Sequence, residues 1–187
     1  MAMPSYDTRW TVEQLLDLPD DGKRREIVDG ALFVSPSPRF VHQRACDELL
    51  YRLMSYCHPR RIGIALTSPA DIVLDDRTLV QPDVFVSELV EGRQPERWSE
   101  VTLKLAAEVL SPSSFHWDAE VKRRRLQRAG VPEFWVVDVD ARSVTVWHPA
   151  DGRGEVMSRQ LVWAPVVGVE PLVIDLPEYF AVVKGER

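Results

Sequence analysis

Val80-Gln81-Pro82-Asp83-Val84-Phe85-Val86 and Leu105-Ala106-Ala107-Glu108-Val109-Leu110 each set one acidic residue into an apolar, strand-forming run. A carboxylate leaves water only at high cost unless a cation or good donors compensate it, so an acid in such a run asks for a partner. A single strand acid ordinarily faces solvent or pairs with an arginine. The run around Glu108 resists that reading, because both alternation classes are apolar: Leu103, Leu105, Ala107 and Val109 on one side, Ala106 and Leu110 beside Glu108 on the other. Glu108 is expected to look inward, and two such acids suggest a metal site.

Downstream, Ser111-Pro112-Ser113-Ser114 leads into a helix from Asp118 to Gly130, with serines and an acid near its start and glycine where a C-cap belongs. At about 100° per residue, Lys122 lies within about 40° of Leu126 and about 20° of Ala129, and so shares their face. A lysine on an apolar stripe snorkels, pairs with Asp118 four residues earlier, or serves the neighbouring acids.

Upstream, Thr11-Val12-Glu13-Gln14 reads as a capping box opening a helix to Leu18. Arg25 to Val28 and Ala31 to Ser35 form a hairpin across Asp29-Gly30, with Glu26 on its first strand. Apolar residues at helical spacing from Phe40 to Cys57 predict a long helix with His42 and Gln43 in its first turn. His42 there is either a surface or capping histidine or one that reaches a phosphate or catalytic water. Cys46 and Cys57 share a face of that helix about three turns apart, too far for a disulfide, and read as core filler.

Strands are expected at Ile62 to Leu66 and Ala70 to Leu74, and a turn at Asp75-Asp76-Arg77-Thr78 leads into Leu79 to Val86. Asp83 then sits in the second arm of a hairpin. Glu88 to Glu100 reads as an irregular segment bordering the site, Glu133 to Val139 and Val144 to His148 as a strand pair, Glu155 to Trp163 and Pro171 to Ile174 as strands, and Pro177 to Val182 as a closing helix. The order predicts an α+β, or mixed α/β, layer with helices packed on a central sheet.

The 187 residues, 45% hydrophobic with six tryptophans, suit one domain spanning 1–187. No apolar stretch of about 18 residues exists, and the first residues lack a signal-like apolar core, so a cytoplasmic protein without membrane contact is expected. A net charge of −6 argues against a basic coat for indiscriminate nucleic-acid binding. DNA stays open as a partner, since Arg123-Arg124-Arg125 with Arg128 could edge a strand-binding rim; Arg60-Arg61 reads as a solvated loop.

Taken in order, Arg25-Glu26-Ile27-Val28-Asp29-Gly30, Ser35-Pro36-Ser37-Pro38, His42-Gln43, Gln81-Pro82-Asp83, Glu108-Val109-Leu110-Ser111-Pro112-Ser113, Asp118, Lys122 and Gly130-Val131-Pro132-Glu133-Phe134-Trp135-Val136-Val137-Asp138 resemble the Uma2 family of restriction-endonuclease-like proteins. That family is placed in the PD-(D/E)XK nuclease superfamily, whose sheet carries Pro-Asp on one strand and Asp/Glu-x-Lys on a neighbour. Pro82-Asp83 and Glu108 match, but the lysine position is Leu110. Members with this departure place the lysine on the following helix, where Lys122 fits, and Glu26 matches the family's additional N-terminal acid.

The resemblance implies a restriction-endonuclease-like central mixed β-sheet flanked by helices, and a metal-dependent endonuclease that hydrolyses phosphodiester bonds in DNA. Asp83 and Glu108 would hold Mg2+, with Mn2+ as substitute and the Val109 carbonyl as a further ligand. Lys122 would assist the attacking water, and Glu26 would complete the metal shell or position that water. Cutting both strands favours a homodimer. Two alternatives stand beside this: a glycosidase acid pair, although no tryptophan neighbours either acid in sequence, and a catalytically silent scaffold or DNA-binding module retaining the fold. No phosphate-cradling glycine loop or nucleophile elbow is present.

Overall fold

The Asp29-Gly30 pair closes a tight hairpin between β1 (Arg24–Val28) and β2 (Ala31–Ser35), with both turn residues at positive φ, 50° and 83°. The computed structural model describes residues 9–89, 95–111 and 116–186. The expectations placed on the N-terminal residues, on 90–94 and on 112–115 lie outside the described residues. Ahead of the hairpin, α1 (Val12–Leu16) opens with the capping box of Thr11 and Gln14. After it come α2 (Phe40–Arg60), β3 (Ile64–Thr67), β4 (Ile72–Asp75), β5 (Thr78–Val80), β6 (Val84–Ser87), β7 (Leu103–Val109), α3 (Arg123–Arg128), β8 (Phe134–Asp138), β9 (Ser143–Trp147), β10 (Glu155–Met157), β11 (Gln160–Trp163), β12 (Leu172–Asp175) and α4 (Leu176–Lys184).

The strands form a six-stranded mixed sheet in the order β10-β9-β8-β7-β6-β3, a four-stranded antiparallel sheet in the order β2-β1-β5-β4, and a β11-β12 pair. In the six-stranded sheet only β7 and β8 run parallel, with the Lys122 helix segment as their crossover. α2 and α4 pack Leu49, Leu53, Tyr179 and Phe180 against one face of this sheet. The other face meets the four-stranded sheet and α3 through Phe85, Ala106, Phe134, Ile72 and Leu126. Helices and sheets thus form the mixed α+β layers that the element order predicts. Among the described residues no helix is long and apolar enough to cross a membrane.

The structure corrects the expected strand from Leu79 to Val86. It breaks at Gln81-Pro82-Asp83, where the chain leaves the four-stranded sheet as β5 and joins the six-stranded sheet as β6. Pro82 has no N–H to give to a ladder, so the pairing ends there. Asp83 therefore sits in a crossover between two sheets rather than in a hairpin arm.

A second correction concerns the Lys122 helix. Trp117–Lys122 winds as a π-helix before the α-helical turns of α3 begin. Trp117 is fixed by stacking on Phe33, centroids 4.8 Å apart, and Lys122 by ion pairs at the far end, so the wider winding spans two anchored points. Leu126 shares the buried face with Lys122, but Ala129 is exposed at the helix end.

Candidate active site

Alternation along β1 puts Arg24 and Glu26 on one face, and the crossover brings Gln81 and Asp83 beside them. The antiparallel register of β6 on β7 pairs Val84 with Ala107, so Asp83 and Glu108 come side by side where the ladder ends. α2 delivers His42, and the π-helical turn delivers Asp118 and Lys122. Five distant segments thus converge at the junction of the two sheets. All four acids are buried: Glu26, Asp83, Glu108 and Asp118.

Asp83 is held from three sides. Its Oδ1 meets Arg24 Nη1 at 2.7 Å, and its Oδ2 lies 3.1 Å from His42 Nε2 and accepts from the Val109 amide at 2.9 Å. Burial opposes ionisation, but the His42 hydrogen bond and the Arg24 charge outweigh it and hold the carboxyl well below the usual range. An ionised Asp83 can only accept, so His42 Nε2 carries the proton. On the ring's other side Cys46 Sγ lies 3.7 Å from Nδ1. Burial keeps that thiol protonated.

Lys122 is fully enclosed. Its Nζ lies 2.5 Å from Glu108 Oε1, 2.8 Å from Glu26 Oε1 and 3.5 Å from Asp118 Oδ1. Burial disfavours the ammonium, yet Glu108, Glu26 and Asp118 together raise its pKa above the ordinary lysine value. Glu108 goes the other way from Asp83: burial, reinforced by the charges of Asp83, Asp118 and Glu26, lifts its pKa against the pull of Lys122. Its Lys122 contact is close but not directed as a hydrogen bond, and among the described residues neither Glu108 oxygen has a hydrogen-bond donor. Glu26 also accepts from the Gln81 amide at 2.6 Å.

A cleft of about 400 Å³ opens over this cluster, with Arg24, His42, Asp83 and Glu108 on its floor and segment 35–39 along its rim. Glu26 and Lys122 do not line it; they lie behind Glu108. Among the described residues lining the cleft there is no Phe, Tyr or Trp. Gln43 instead binds Asp47 on the surface of α2. The arginines of α3 are engaged within the chain: Arg123 with Glu120 and over Trp147, Arg124 with Glu120, Arg125 with Asp29 and Asp75, Arg128 with Asp29.

The Uma2 family model, described as "Putative restriction endonuclease", matches residues 12–169. The chain belongs to the Uma2 family. Among solved structures, it resembles a "putative nuclease belonging to DUF820" from Anabaena variabilis ATCC 29413, at 20% identity and a TM-score of 0.75, covering 93% of this chain and 99% of that one. At that identity the likeness shows the fold. Curated proteins gave no match.

For a Uma2 chain the question is whether these residues suit a divalent ion. A buried carboxylate without a donor is costly, and Glu108 is one, set beside a second, ionised carboxylate on the cleft floor. Hard oxygen donors of this kind suit Mg2+ or Mn2+. His42, Cys46 and Asp83 make a second grouping, with ligand atoms within 4.8 Å of one another. There the thiol and the carboxylate sit on opposite ring nitrogens, so one ion cannot take all three without turning the imidazole. Arg24 was not anticipated from sequence: its partner Asp83 lies 59 residues away, and no local pattern links them.

Proposed function

We propose that this Uma2 protein is a metal-dependent endonuclease acting on DNA, with Asp83, Glu108 and the Val109 carbonyl as the ligands of a Mg2+ ion. The observation that carries the reading is the donor-less Glu108 carboxylate beside ionised Asp83 on the floor of one cleft. When bound, the ion supplies charge neutralisation at the scissile phosphate and a more acidic water. The chain's own groups do the rest. Lys122 would assist the attacking water chiefly through its charge, its enclosed ammonium orienting Glu108 and offsetting negative charge gathering behind the cleft. Glu26 holds Lys122 in place and ties β1 to the crossover through Gln81. His42 and the Val109 amide hold Asp83 in one orientation. A single domain acting as a homodimer in the cytoplasm would present two such clefts to the two strands of a duplex.

One observation favours a catalytically silent DNA-binding module: Arg24 and Lys122 already compensate the acids without any ion. A cleavage assay separates the two readings. Duplex, single-stranded and branched DNA are incubated with Mg2+ or Mn2+ and the wild-type or Asp83→Asn protein. The nuclease predicts cleavage that requires the ion and falls at least about a hundredfold in Asp83→Asn. No cleavage of any substrate, or equal cleavage by both proteins, contradicts it.

A further inference from the structure

Oδ2 of Asp83 faces two donors, the Val109 amide and His42 Nε2, which occupy its two lone pairs. Oδ1 meets Arg24 Nη1 at 2.7 Å. A divalent ion that uses Asp83 must therefore take Oδ1, at about 2.0–2.6 Å, on the lone pair that Arg24 leaves open and so directly beside the guanidinium. Two cations on one carboxylate oxygen in a partly dry cleft repel strongly, so one has to leave.

The cluster's two cations differ in their freedom to do so. Lys122 is 0% exposed and enclosed between Glu26 and Glu108. The Arg24 side chain is 27% exposed and lines the cleft. Among the described residues its Nε is buried without an acceptor, and its one further hydrogen bond, from Nη2, goes to the Gln81 carbonyl. The free protein thus leaves part of this donor fork unused.

We propose that Arg24 is an exchangeable counter-ion. It neutralises Asp83 while the metal is absent and, once displaced, turns into the cleft to hold the non-bridging oxygens of a nucleic-acid phosphate. The proposal rests on the metal-site reading of Asp83. A planar guanidinium matches phosphate oxygens two at a time, which a point-charge ammonium does not. The exchange would also limit the build-up of positive charge, because the expelled guanidinium meets the incoming anion.

The test titrates Mn2+ into wild-type, Arg24→Gln, Arg24→Lys and Asp83→Asn proteins, and measures duplex binding by fluorescence anisotropy with Ca2+ in place of Mn2+. Arg24→Gln should bind Mn2+ about fivefold to twentyfold more tightly, because the competing charge is gone, and bind duplex at least about tenfold more weakly. Arg24→Lys should keep wild-type Mn2+ affinity within about threefold yet still bind duplex several-fold more weakly, so it tests the phosphate clamp even if Arg24→Gln fails to fold. Mn2+ affinity unchanged or lower in Arg24→Gln, or unchanged duplex affinity in Arg24→Lys, overturns the exchange, with the metal site intact if Asp83→Asn abolishes Mn2+ binding. Mn2+ binding untouched by Asp83→Asn sinks the metal reading itself, and the exchange with it.

Discussion

Lys122 stands at 2.5 Å and 2.8 Å from two acids that would otherwise share a dry pocket. Lys122→Met keeps the stem and removes the charge, and is expected to cost about 3–5 kcal/mol in urea denaturation at neutral pH, since breaking a buried pair strands its partners. Wild-type stability in that variant would mean the acids are already neutral. Glu108 is the acid for which protonation matters most. Burial lifts its folded pKa above its unfolded value, so its contribution to stability is whole below the ordinary carboxylate range and is lost as pH rises through the raised value. Glu108→Gln fixes the neutral form while Glu26 and Asp118 still hold Lys122. Its melting temperature should exceed that of wild type by a margin that grows as pH rises above the ordinary carboxylate range. A difference that does not grow with pH would place the titration elsewhere. Asp83 works in the opposite sense, its low pKa giving stability that disappears as pH falls below the ordinary carboxylate range.

The elements that sequence made legible are those with local causes: the Thr11 capping box, the Asp29-Gly30 hairpin and the apolar run that buries Glu108. Those it did not disclose depend on contacts distant in the chain. The break at Pro82 inside the expected Leu79 to Val86 strand was not anticipated from sequence, and which sheet each half joins follows only from β1 pairing with β5 and β7 pairing with β6. The π-helical turn depends on Phe33, some eighty residues before the Trp117 it anchors. His42 and Arg24 reach Asp83 across 41 and 59 residues. β6 starts directly after Asp83, so its position governs the site, and Gly63 sets how closely the end of α2 approaches it. A Cβ at Gly63 would meet the Ser87 carbonyl oxygen at 2.5 Å and Val86 Cγ1 at 2.6 Å. Backbone in a central ladder cannot move aside cheaply, so Gly63→Ala should lose about 1–3 kcal/mol by urea denaturation. An unchanged midpoint would show that the α2–β6 seam is slack.

Across the whole molecule, a net charge of −6 and the internally paired arginines of α3 leave little generic attraction for nucleic acid. On the proposed function, substrate binding would then depend on the cleft and on the ion proposed at Asp83 and Glu108. The family and the fold were legible from the ordered motifs between Glu26 and Asp138, because those residues mark turns, strand ends and the acids themselves. The most direct measurement of the central claim is Mn2+ binding to the purified protein by electron paramagnetic resonance, beside Asp83→Asn and Glu108→Gln. The account predicts one bound ion per chain in the wild type, lost in both variants while they stay folded. Equal binding by all three proteins, or no binding by the wild type at millimolar Mn2+, would contradict it.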